Sequence, residues 1–218
     1  MKQYLTYKNL NYCLIYKNKK KLSIKFMDGQ IIVSAPYHTP ISFIERCLED
    51  CKDRLEKQIE SYNPYYDLKD GGYVYIFNKK YILVKGNRSC KGCFIDGDKL
   101  IVCDNDINKA VSKYLYNILY DYLEERIKYY VHHSFDTGMP EIVIKRYKGR
   151  WGSCYYKVNR VSFNFALIHF EKELIDYIIV HELCHFIVHN HSALFYNEVE
   201  KRLPDYKSLM KRIEEKHI

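Results

Sequence analysis

No stretch of the sequence is apolar for long enough to cross a bilayer, which takes about 20 residues. The opening Met1-Lys2-Gln3-Tyr4-Leu5 runs straight into polar residues and has no apolar signal core. A cytoplasmic protein is therefore expected, with its eight Cys held as reduced thiols. Glycine-rich phosphate cradles and acyl-transfer serine motifs are absent, so those two chemistries lack their usual signatures. There is no internal repeat and no low-complexity tract. Cys90-Lys91-Gly92-Cys93 stands alone, whereas a zinc ribbon needs a second such pair. Cys103 offers a third sulfur, but no fourth ligand is evident.

What is present fits a folded chain: 47% hydrophobic and 28% charged residues over 218 positions. Tyr occurs 23 times and suits half-buried faces, with an apolar ring and a polar tip. The net charge is +8, and residues 1–35 hold seven Lys against one Asp. A basic patch of this kind suits a nucleic-acid or acidic partner. A solvated, Lys-rich strand face accounts for it equally and is preferred, because no nucleic-acid motif accompanies the charge.

Taken in order, Tyr12–Tyr16, Leu22–Phe26 and Ile31–Ala35 read as strands, the last two joined by the hairpin signal Met27-Asp28-Gly29-Gln30. Thr39-Pro40 opens one helix with Ile41, Ile44, Leu48, Leu55 and Ile59 on its apolar face, and Asn63-Pro64 ends it. Two hairpins follow, around residues 78–80 and around Asp96-Gly97-Asp98. Asp106 is the expected N-cap of a long helix whose stripe runs from Ile107 and Val111 through Leu123 and Ile127 to Val131. A strand at 142–144, a strand pair at 150–156 and 160–165, and three helices complete the chain. The expected organisation is α+β: a β-rich region with one helix at 1–105 and a catalytic domain at 106–218.

The chemistry concentrates in Ile178-Ile179-Val180-His181-Glu182-Leu183-Cys184-His185-Phe186. This is His-Glu-x-x-His within a helical apolar pattern. Positions i and i+4 share a helix face, so His181 and His185 can grip one zinc ion. Glu182 can reach a water there as general base, which makes peptide hydrolysis the default reaction. Two residues compete for a third ligand, His189 and His191. On an unbroken helix, His189 would lie about 12 Å along the axis from His181, too far to share an ion with nitrogens held at ~2.0–2.1 Å. His191 escapes this limit if the helix stops first. Asn190 tolerates the left-handed conformation that ends helices, and Ser192 can cap the next one.

Arg150-Trp151-Gly152-Ser153-Cys154, Asn164, Asp176-Tyr177-Ile178-Ile179-Val180-His181-Glu182-Leu183-Cys184-His185, Asn190-His191-Ser192 and Phe195 together resemble the YgjP-like metallopeptidase family, related to the WLM and SprT-like metalloproteases. Leu203-Pro204-Asp205-Tyr206, Ile31 to Pro36 and Lys69 to Val84 extend the resemblance over nearly the whole chain. It implies a zincin-like catalytic half: a small twisted sheet, a backing helix and an active-site helix beneath the sheet. It implies His181, His185 and His191 as ligands of Zn2+ and Glu182 as catalytic base; it supplies no substrate, and a peptide or protein substrate is expected from the hydrolytic motif itself. The spacing of the three His is also that of the metzincins, with Val188 where they carry Gly. Two departures stand out: the segment Asn87 to Cys93, and Tyr155-Tyr156-Lys157 in place of smaller, more polar residues.

Two other functions compete. A nucleic-acid-associated protease would use the basic N-terminal region to reach its targets. A structural zinc module would keep three His and have no need of Glu182. Trp151 is read either as a groove wall or, preferably, as a core anchor. Arg150 is read as a ligand for a carbonyl or carboxylate oxygen, or as an ordinary surface ion pair.

Overall fold

The computed structural model describes residues 2–27, 29–60, 65–87, 90–135 and 137–216, leaving aside the side chains of residues 27 and 60. It divides into two compact units, Met1–Pro64 and Tyr65–Ile218. No described helix is long and apolar enough to cross a membrane.

The first unit begins with β1 (Lys2–Tyr7), β2 (Leu10–Lys17), β3 (Ser23–Met27) and β4 (Gln30–Pro36). Their spatial order is β1-β2-β4-β3, with β2 and β4 parallel. Sequence reading placed strands from residue 4 on but gave β1 no strand of its own; its Lys2, Gln3 and Tyr4 are exposed, and only Leu5 and Tyr7 pack on the core. The single helix expected from Pro40 is two helices, α1 (Ile41–Asp50) and α2 (Lys52–Glu60), broken at Cys51. Ile44, Leu48 and Leu55 reach the core, whereas Ile41 and Ile59 are exposed. The expected stop at Asn63-Pro64 lies outside the described residues.

The second unit contains β5 (Tyr66–Asp67), β6 (Tyr73–Ile76), β7 (Lys79–Lys85), β8 (Cys93–Asp96) and β9 (Lys99–Val102), ordered β5-β6-β7-β9-β8. Phe77 and Asn78 turn β6 into β7, both with positive φ as a two-residue hairpin turn requires. Then come α3 (Ile107–Ser134), β10 (Glu141–Lys145), β11 (Gly152–Tyr155) and β12 (Arg160–Asn164). The chain closes with α4 (Lys172–Cys184), α5 (Ala193–Arg202) and α6 (Tyr206–Glu214). Asp106 caps α3 as expected, accepting the Lys109 N–H at 3.0 Å. One core takes Val74, Leu83 and Leu100 from the five-stranded sheet, Leu115 and Leu123 from α3, and Ile175 and Ile179 from α4. The division expected after residue 105 falls inside this unit, because the sheet before it and the helices after it bury their apolar faces together.

The thiols differ from expectation. Cys90 and Cys103 form a disulfide, and six cysteines are free. The β7–β9 pairing brings the two together: Gly86 N–H donates to Val102 O at 2.8 Å, and Cys103 N–H donates to Gly92 O at 2.8 Å. Gly86 leaves room for the bridge, since a Cβ there would lie 2.5 Å from Cys90 Sγ. Cys90 is thereby withdrawn from any metal site shared with Cys93.

The helix that carries the motif is anchored to α3 near its start. Arg126 meets Asp176 through Nε at 3.0 Å and Nη2 at 2.7 Å, and the Tyr122 hydroxyl donates to Asp176 at 2.8 Å. The pair is partly buried, with side chains 25% and 16% exposed. Asp176→Ala leaves a half-buried guanidinium without its carboxylate and takes one acceptor from each of Tyr122 and Tyr130. The expected loss is about 2 kcal/mol, the buried-pair figure reduced for solvent access, and thermal denaturation checks it. A parental melting temperature would contradict this anchor.

Candidate active site

The site lies where α4 passes beneath the small sheet β10-β12-β11. In that sheet β10 runs parallel to β12 and β11 antiparallel, so β11 is an edge strand with no further strand paired to it among the described residues. Gly152, Cys154, Val161 and Phe163 share the face turned towards α4, as the Gly152↔Phe163 and Cys154↔Val161 pairs fix.

α4 stays regular to Cys184. The next two free amides then bond one residue short, Phe186 N–H to Leu183 O and Ile187 N–H to Cys184 O, each at 3.0 Å. The helix therefore ends before His189. Asn190 does not supply a left-handed stop, for its φ is not positive. Its Oδ1 instead accepts the Ser192 N–H at 3.3 Å. Ser192 is the N-cap of α5, although its side chain makes no capping bond.

This turn brings His191 back to the helix. His181, His185 and His191 each offer a nitrogen within 4.8 Å of the others, and His181 Nε2 lies 2.9 Å from His191 Nε2. Nitrogens bound to one zinc at ~2.0–2.1 Å in tetrahedral directions sit about 3.4 Å apart, a value inside this range. His185 Nδ1 lies 3.2 Å from Val188 O, which turns Nε2 towards the cluster. Burial and the neighbouring imidazoles push the His181 pKa down to about 3, so its ring is neutral, as a ligand must be. His181 Nδ1 is buried without a partner. His189 stands apart. Its ring stacks on Tyr156 at 3.7 Å, and its Nδ1 lies 2.8 Å from His185 O.

Phe195 at the start of α5 is fully buried and packs against all three rings, with centroids at 4.8, 4.5 and 4.9 Å from His181, His185 and His191. Its part in the motif is thus to hold the imidazoles in register. α5 is itself fixed to the end of α3, where Arg202 donates to Ser134 O through Nη2 at 2.6 Å.

Glu182 is only 6% exposed. Its carboxylate lies against β11 so closely that a Cβ on Gly152 would be 2.5 Å from Oε1. Only glycine fits there. Burial pushes the Glu182 pKa up to about 8, opposed by the Arg150 charge and the Cys154 main-chain amide. A buried carboxylate of raised pKa beside three imidazoles that could hold a metal has the profile of a general base. Asn164 fixes the approach to β11. Its side-chain amide donates to Tyr147 O at 3.1 Å and Arg150 O at 3.0 Å, and its own N–H donates to Trp151 O at 2.8 Å. Trp151 packs edge-on against buried Phe170 at 4.9 Å, the core-anchor reading.

The sequence matches the family model "YgjP-like, metallopeptidase domain" over residues 20–216. The chain belongs to the YgjP-like metallopeptidase family. It is therefore a metallopeptidase, and a metal ion and a peptide substrate belong to its chemistry. No curated protein matches it. Among solved structures it is similar to the metallopeptidase zymogen abylysin of Pyrococcus abyssi, at 25% identity over 42% of this chain and 90% of that one, with a TM-score of 0.39. It is similar in the same degree to the zymogen jannalysin of Methanocaldococcus jannaschii, at 25% identity over 42% and 92%, with a TM-score of 0.38.

The surroundings of this YgjP-like site hold one feature that motif reading passed over. Between Glu141 and Glu171 there is no acidic residue, while Lys145, Arg146, Lys148, Arg150, Lys157 and Arg160 all fall there. The signal lay in the sequence, in the run Lys145-Arg146-Tyr147-Lys148-Gly149-Arg150 just ahead of Trp151-Gly152.

Proposed function

We propose that this chain is a zinc peptidase in which His181, His185 and His191 hold the ion and Glu182 is the general base. The observation that carries this reading is the convergence of three imidazole nitrogens within 4.8 Å, next to a buried carboxylate. Three His with a fourth direction open is a catalytic zinc set, whereas structural sites are closed by four protein ligands. When bound, zinc supplies Lewis-acid activation of water and of the scissile carbonyl.

The chain's own residues do the rest. The substrate adds as a strand to the outer edge of β11, where main-chain bonds hold it across the triad with little sequence demand. Glu182, pressed against Gly152, takes a proton from the attacking water and passes it to the departing amine nitrogen. Burial alone favours the protonated carboxyl, and a cation held by the imidazoles would pull it back to the basic form. Phe195 keeps the rings aligned while this happens.

The test is metal replacement. Chelator-treated protein should lose hydrolysis of an unstructured polypeptide mixture, and stoichiometric zinc should restore it. Restoration by another divalent ion but not by zinc would overturn the assignment of the metal.

A further inference from the structure

Among the described residues Lys145, Arg146, Lys148 and Arg150 enter no ion pair. Arg146 lies over the Phe165 ring at 4.1 Å, and exposed Arg150 over Tyr147 at 5.7 Å. The backbone beneath Arg150 is held by the Asn164 amide at 3.0 Å. Arg150 is two residues from Gly152, which abuts the Glu182 carboxylate, so their Cα atoms are at most about 7 Å apart. An exposed guanidinium with a fixed backbone, no ion-pair partner among the described residues and this position is available to substrate.

Which half of the substrate it meets follows from two arguments. β11 starts at Gly152 beside Glu182 and leads to Tyr156, stacked on His189 beyond His185. A peptide paired antiparallel to β11, the commoner arrangement, therefore has its C-terminal part at the Arg150 end. Separately, Glu182 protonates the leaving amine, so the C-terminal fragment departs on the side of Gly152. Both arguments put Arg150 beside the residues that follow the scissile bond.

We infer that Arg150, backed by Lys145, Arg146 and Lys148, makes this enzyme select peptides carrying a carboxylate just C-terminal to the bond it cleaves. This rests on the peptidase reading above. Arg suits the task because its planar fork meets a carboxylate with two parallel hydrogen bonds. The carboxylate comes either from the end of the chain or from an Asp or Glu side chain. The first source gives an enzyme that trims C-termini, the second an endopeptidase for acidic segments.

The experiment uses three N-terminally blocked random peptide mixtures: free acids without Asp or Glu, carboxamides without Asp or Glu, and carboxamides containing both. Each is passed over immobilised zinc-loaded Glu182→Gln protein, and each is digested with the zinc-loaded parent, with mass spectrometry as readout. Retention of carboxylate-bearing peptides should exceed that of neutral ones by about tenfold. Cleaved bonds should have the carboxylate within the next two residues. Enrichment in the first mixture identifies the chain end as its source, and enrichment in the third identifies side chains. Arg150→Ala, added to Glu182→Gln, should remove the preference at parental zinc content, and Arg150→Lys should keep part of it. Selective retention lost with Arg150→Ala, without any cleavage by the parent, would sustain carboxylate binding by Arg150 but sink the peptidase reading and, with it, the placement of that carboxylate after a cleaved bond. Retention without preference, no retention at all, or a preference that survives Arg150→Ala overturns the inference.

Discussion

Glu182→Gln is expected to lower the rate of peptide hydrolysis by roughly 10²–10⁴-fold while leaving zinc content unchanged. The amide keeps the shape of the side chain and its place against Gly152, but it has no basic oxygen to accept the water's proton. It also removes a buried group whose charge costs folding energy, since burial raises the Glu182 pKa to about 8. The variant should consequently be folded and at least as stable as the parent at alkaline pH. The sign follows from the shift. A carboxyl whose folded pKa lies above its unfolded value costs stability as pH rises through the window between the two. Rates and metal analysis on one preparation decide the matter, and parental turnover by the variant would remove Glu182 from the mechanism.

His191→Ala should lower zinc affinity by more than about 100-fold, beyond the effect of losing a partner outside the ligand set, whereas His189→Ala should bind zinc much as the parent does. The two residues are neighbours in sequence with different surroundings. His191 points a nitrogen at His181 Nε2, 2.9 Å away, and His189 lies flat against Tyr156 at 3.7 Å. Competition with a chromophoric chelator measures both. Loss of zinc in the His189 variant alone would reverse the assignment.

The site was more legible in the sequence than the architecture around it. His181, Glu182 and His185 follow from helical spacing, since one turn of α4 places them without help from elsewhere. His191 could be argued only by supposing that the helix stops. It does stop, but through shortened bonds after Cys184 and not through a left-handed Asn190, because nothing local at that residue announces the turn. Phe195 stood in the motif without a role, as ring-on-ring packing across two helices has no signature along the chain. The parallel β2–β4 pairing and the Cys90–Cys103 bridge are likewise matters of tertiary neighbourhood. The break at Cys51 escaped notice because Ile44, Leu48 and Leu55 keep a plausible helical rhythm across it. Arg150 was read as the head of a motif, but Lys145, Arg146 and Lys148 ahead of it went unread because no motif includes them.

Helix α4 has a bearing on how the enzyme is supplied with metal. Its Leu174, Ile175, Ile179 and Leu183 are wholly buried in the main core. Hydrophobic burial on that scale holds the helix in place by itself, unlike a zinc finger, whose chain unfolds without its ion. Folding and metal loading are therefore expected to be separable for this protein. Protein made without its metal would then be folded but idle, and adding the metal later would activate it with no new translation.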